Sequence, residues 1–141
     1  MRYCTLCLFV LLFTIVSLKT SLAADIAIIV HPSVQAQEVS AEDLRSVFLG
    51  TKTSLRNGSH LRPILEKPGP THSAFLRAIV GKTDFALQTY YRGLVFSGKW
   101  SIPRTFNSDA EIIAYVSRTP GAIGYVDASS VAQGVKTLRV R

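Results

Sequence analysis

The run Leu65-Glu66-Lys67-Pro68-Gly69-Pro70-Thr71-His72-Ser73 places two hydroxyls and an imidazole directly after a Pro/Gly break. Proline fixes φ and glycine admits φ > 0, so Pro68-Gly69-Pro70 ends the apolar strand expected over Leu61–Leu65. Thr71 suits a helix N-cap. Ala74, Phe75, Ala78 and Ile79 then recur at helical spacing, and Gly81 suits the position after the last turn. A helix start exposes unpaired N–H groups and the positive end of the dipole, which together attract an anion. The candidate ligand-binding residues are therefore Gly69, Thr71, His72 and Ser73. They would act through the Thr71 hydroxyl and the N–H groups of Thr71, His72 and Ser73. The same residues also read as a plain connecting turn.

Other chemistry finds little support. His31, His60 and His72 form no i, i+4 pair and no Cys/His cluster, so no metal site is expected and each histidine is expected in a loop or at the surface. There is no Gly-x-Ser-x-Gly, Walker A or Gly-x-Gly-x-x-Gly run. The neighbouring carboxylates Glu42-Asp43 and Asp109/Glu111 are explained by the preference of acidic groups for helix starts. Tyr90, Tyr91, Phe96 and Trp100 are expected on a buried helix face. No catalytic constellation results, so the chain is expected not to be an enzyme and no cofactor is expected.

The elements that would carry the turn are strands alternating with helices. Ile26–Val30 is a continuous β-branched run, as in a strand buried on both faces. Ser40 opens a helix with Leu44, Val47 and Phe48 on its apolar side. Thr83-Asp84 opens another over about Phe85–Phe96, with Phe85, Leu87, Tyr91, Leu94 and Val95 as apolar surface. Lys99–Asn107 reads as a loop. Ser108 with Glu111 is a capping box for a helix over Ala110–Arg118. Ala122–Val126 and Val135–Val140 are the last strands. The class is α/β, with a small mixed sheet flanked by helices.

Half of this 141-residue chain is apolar, enough for one core. Met1-Arg2, the uncharged apolar run Tyr3–Leu18 and the small residues Ser21 and Ala23 have the pattern of a cleavable secretory signal over residues 1–23. The remaining domain is 24–141. Cleavage removes both cysteines, so no disulfide is expected. It also lowers the net charge from +7 to about +5. The basic residues are scattered rather than striped, which suits an anionic ligand and not a nucleic acid.

Three segments carry a family resemblance: Val47-Phe48-Leu49-Gly50, the Gly69-Pro70-Thr71 turn with Phe75 four residues after Thr71, and Phe96-Ser97-Gly98-Lys99-Trp100. A fourth is Thr119-Pro120-Gly121-Ala122-Ile123-Gly124-Tyr125-Val126. In this order they resemble the phosphate-type periplasmic substrate-binding proteins of ABC transporters, in a short single-lobe form. The resemblance implies a periplasmic domain of the periplasmic-binding-protein type that holds phosphate or sulfate. Its family turn, Arg-x-x-x-Ser-Gly-Thr, aligns with Leu65–Thr71. Leu65 stands at the Arg position, Gly69 at the Ser position and Pro70 at the Gly position, and Thr71 alone matches by type. Two functional readings follow. One is an oxyanion-binding component of a phosphate transporter. The other is an interaction module that binds a membrane transporter or sensor protein through the former cleft surface. A homodimer burying Gly69–Ser73 would restore a two-lobed clamp.

Overall fold

The computed structural model describes residues 25–141, so the signal segment and its cleavage site lie outside the described residues. Six strands form one mixed sheet in the order β2-β6-β1-β5-β3-β4. In chain order they are β1 (Ile26–Val30), β2 (Glu38–Val39), β3 (Arg62–Glu66), β4 (Arg104–Phe106), β5 (Ala122–Asp127) and β6 (Lys136–Val140). The helices are α1 (Ala41–Phe48), α2 (Pro70–Phe75), α3 (Asp84–Phe96) and α4 (Asp109–Arg118). A π turn, Leu76–Val80, continues α2 directly and ends at Gly81, whose φ of +71° is the left-handed conformation a glycine adopts without strain.

Period-two alternation sends successive side chains to opposite faces of the sheet. Ile28, Val30, Leu65, Ile123 and Tyr125 join Leu44, Phe48, Phe75, Ile79, Leu87 and Tyr91 in a core beneath α1, α2 and α3. Ala27, Ile29, Ile64, Ala122 and Val126 meet Ile112 and Val116 of α4 on the other face. The continuous apolar runs in β1 and β5 are thus explained by burial on both sides. β1 runs antiparallel to both β5 and β6, while β3 runs parallel to β4 and β5.

The expected mixed α/β sheet with flanking helices is observed, with four local corrections. The Lys99–Asn107 loop contains β4, an edge strand of which only Phe106 is buried, too short to show alternation. β2 is a two-residue strand at the opposite edge. α2 begins at Pro70 with Gly69, not Thr71, as N-cap, because the fixed φ of proline suits the first helical position. In α3, Leu87 and Tyr91 face the core while Phe85, Val95 and Phe96 are exposed, so the expected aromatic face is buried only in part.

Candidate functional site

β3 returns to β4 through α2 and α3 on one face of the sheet, and β4 returns to β5 through α4 on the other. The three parallel strands therefore end together at Glu66, Phe106 and Asp127, and α2 and α4 both start at that edge. Crevices of this kind, where successive crossovers leave on opposite faces, are where α/β sheets bind ligands.

The candidate turn lies at this edge. Gly69 is extended and has no side chain to cap α2. The other helices satisfy their own starts: Asp43 N–H donates to Ser40 Oγ (3.1 Å), Ala86 N–H to Thr83 Oγ1 (3.2 Å) and Glu111 N–H to Ser108 Oγ (3.2 Å). At α2, Ser73 N–H donates to Gly69 O (2.9 Å). Its N–H is thus committed to the helix, contrary to the sequence expectation. The N–H groups of Thr71 and His72 lie in the first turn, which has no helical carbonyl before it to receive them. Thr71 is half-buried, Ser73 and Lys67 exposed.

His72 was expected in a loop or at the surface. Its side chain is instead buried, at 2 % exposure. Nδ1 lies 2.6 Å from Tyr125 Oη and Nε2 lies 2.9 Å from Asp84 Oδ1, while Glu66 N–H reaches the same Tyr125 oxygen at 3.0 Å. Every atom of a neutral ring is satisfied in one way. Glu66 N–H donates to Tyr125 Oη, Tyr125 O–H donates to Nδ1, and Nε2–H donates to Asp84. Burial pushes the Tyr125 hydroxyl well above its ordinary pKa, so it stays a donor. The ring of Tyr125 stacks on Phe75, with centroids 3.8 Å apart. This relay pins α2 to β5 and α3. The imidazole of His72 is therefore a structural tie, and only its backbone N–H is offered to a ligand.

Beside the turn is a carboxylate pair that sequence reasoning did not bring together. Glu66 Oε2 and Asp109 Oδ1 are both inaccessible to solvent and lack a hydrogen-bond partner when both carboxylates are ionised. Burial first, then the facing Asp109, pushes Glu66 up to about 7, with Asp127 adding to the rise and Lys67 opposing it. A proton held by Glu66 and donated to Asp109 supplies the missing hydrogen bond. The other oxygen of Asp109, Oδ2, accepts from Asp127 N–H at 3.1 Å and fixes α4 against β5. Glu66 and Asp109 meet because β3 pairs with β4, the strand hidden in the expected loop. Glu111, its neighbour in sequence, instead accepts from Asn107 N–H as a helix cap (2.8 Å).

Among the described residues, no group of three or more acidic, His or Cys side chains could hold a metal. No helix there is long and apolar enough to cross a membrane.

Comparison with solved structures finds the same architecture in proteins of phosphate transport. A Clostridium perfringens protein assigned as a phosphate ABC transporter substrate-binding protein, and solved with bound phosphate, is similar at a TM-score of 0.63 and 19 % identity, over 82 % of this chain and 44 % of that one. An ABC-type phosphate transport receptor from Vibrio cholerae matches at 0.62 and 17 %, over 82 % and 45 %. PstS from Borrelia burgdorferi matches at 0.62 and 17 %, over 82 % and 47 %. The fold is like that of part of these phosphate-type substrate-binding proteins. The chain spans less than half the length of these solved proteins. No family model and no curated protein gives a significant match to the sequence.

Leu65, the residue that the resemblance sets at the Arg of the family turn, is 1 % exposed and part of the core under α2. Leu65 therefore presents no apolar patch at the turn.

Proposed function

We propose that this chain is an exported, periplasmic oxyanion-binding domain of the phosphate class, serving as the substrate-binding component of a phosphate transporter. The single observation that carries the proposal is the start of α2, the one α-helix among the described residues left uncapped by its own side chains, at the edge where this fold type gathers ligands. The ligand would accept from the N–H groups of Thr71 and His72 and from Thr71 Oγ1, with Lys67 as the nearby cation. The likeness to a phosphate-bound structure supports the choice of anion.

Two features set the expected strength. Leu65 removes the bidentate, charge-assisted contact, which is the strongest kind available to an oxyanion. An edge open to water also weakens each remaining hydrogen bond. Binding should therefore be weak, and stronger where a second copy or another protein closes the crevice. The protonated Glu66–Asp109 pair carries one negative charge instead of two near the turn, so affinity should fall as pH rises past 7.

The test is titration calorimetry with inorganic phosphate on the wild type and on Thr71→Ala. Loss of one hydroxyl contact should weaken binding by about three- to tenfold. Equal phosphate affinity in the two proteins would place the ligand elsewhere.

A further inference from the structure

α3 presents to solvent a line with an uncovered aromatic ring at each end. Phe85 is 78 % exposed and Phe96 is 90 % exposed, whereas Leu87 and Tyr91 on the other side of the helix are fully buried. Phe85, Thr89, Arg92 and Phe96 fall at i, i+4, i+7 and i+11, a spacing that keeps them on one line pointing away from the core. The rise of a helix sets the two rings roughly 16 Å apart. Scattered single apolar residues are ordinary on protein surfaces, but two large aromatics at the ends of one outward line form a pattern.

The fringe of this line is positive. Arg92 lies between the rings, and exposed Lys99 follows the last turn. Asp84 is the only carboxylate of α3, and it is held by His72.

We infer that this face of α3 docks on an anionic lipid surface. Phe85 and Phe96 enter the acyl boundary, while Arg92 and Lys99 engage headgroup phosphates. A helix with aromatic residues on its outer line and cations beside them is the arrangement that lies flat in a membrane interface. A flat surface receives both rings at once. A second copy docked through the same face would set its positive fringe against another. Phe85, Arg92, Phe96 and Lys99 include none of the residues of the turn at Gly69–Ser73, so the inference stands or falls independently of phosphate binding.

Residues 25–141 hold all the described elements and both cores, so the experiment uses the chain from Ala24, which removes the apolar leader. Its sedimentation with vesicles of phosphatidylcholine alone is compared with that for vesicles containing one-third phosphatidylglycerol. The expected result is binding to the anionic vesicles at least tenfold tighter than to the neutral ones. Phe85→Ser with Phe96→Ser should weaken that binding at least tenfold. Arg92→Gln and Lys99→Gln should each weaken it about fivefold at low salt. Because the rings are exposed, an unchanged melting temperature checks that the Phe variant folds. Absence of binding to anionic vesicles overturns the proposal. Binding that the double Phe variant leaves within twofold also overturns it, because net charge alone would then account for it.

Discussion

Replacing Glu66 by glutamine should flatten the pH dependence of stability. The Glu66 carboxyl rises from the usual 4.5 to about 7 on folding, through burial and the facing Asp109. Between those values the folded chain holds a proton that the unfolded chain has released. Its contribution is fully present below pH 4.5 and is lost as pH rises through 7. Solvent screening at this partly exposed group reduces the full linkage to about 1–2 kcal/mol. In Glu66→Gln the amide donates permanently to Asp109, so the hydrogen bond survives without titrating. The assay is urea denaturation followed by circular dichroism in buffers from pH 5 to pH 8. The two proteins should match at pH 5, and the variant should be about 1–2 kcal/mol more stable at pH 8. If the variant keeps the wild-type slope, Glu66 titrates as an ordinary carboxylate and the shared proton is refuted.

Two further substitutions probe the scaffold. Tyr125→Phe keeps the ring stacked on Phe75 but strands His72 Nδ1 and Glu66 N–H, which should cost about 1–3 kcal/mol in urea denaturation; an unchanged midpoint would mean that the relay contributes nothing. Gly121→Ala puts a Cβ at 2.7 Å from His60 O in a residue with φ of +81°, so its melting temperature should drop clearly. That strain is worth about 2–3 kcal/mol, and a drop of less than a few degrees would contradict it.

How much of this was legible in the sequence differed by element. α1, α3 and α4 announced themselves because Ser40, Thr83 and Ser108 cap them with their own hydroxyls. β1 and β5 were legible because burial on both faces demands an unbroken apolar run. β4 was not, since three edge residues with one buried phenylalanine carry no periodic signal. That omission hid the Glu66–Asp109 pair, which depends on the pairing of β3 with β4. His72 was misread for a related reason. An imidazole is buried when distant groups satisfy both nitrogens, and Tyr125, 53 positions away, is not local information. A helix does start at the Pro/Gly break, but proline at the first helical position moved the cap from Thr71 to Gly69. The outward line of α3 was hidden because Phe85 and Phe96 look apolar enough to be core, and only packing shows which side of the helix is covered.

The central claim is that the uncapped start of α2 binds phosphate. Its most direct test is a thermal melt of residues 24–141 in phosphate, with sulfate and chloride at equal ionic strength as controls. Phosphate at about a hundred times its dissociation constant should stabilise the fold by roughly 2.7 kcal/mol, on the order of 10 °C for a domain of this size. A rise specific to phosphate, reduced in Thr71→Ala, is the predicted result. No rise with phosphate up to tens of millimolar would contradict the claim and leave the fold without its oxyanion.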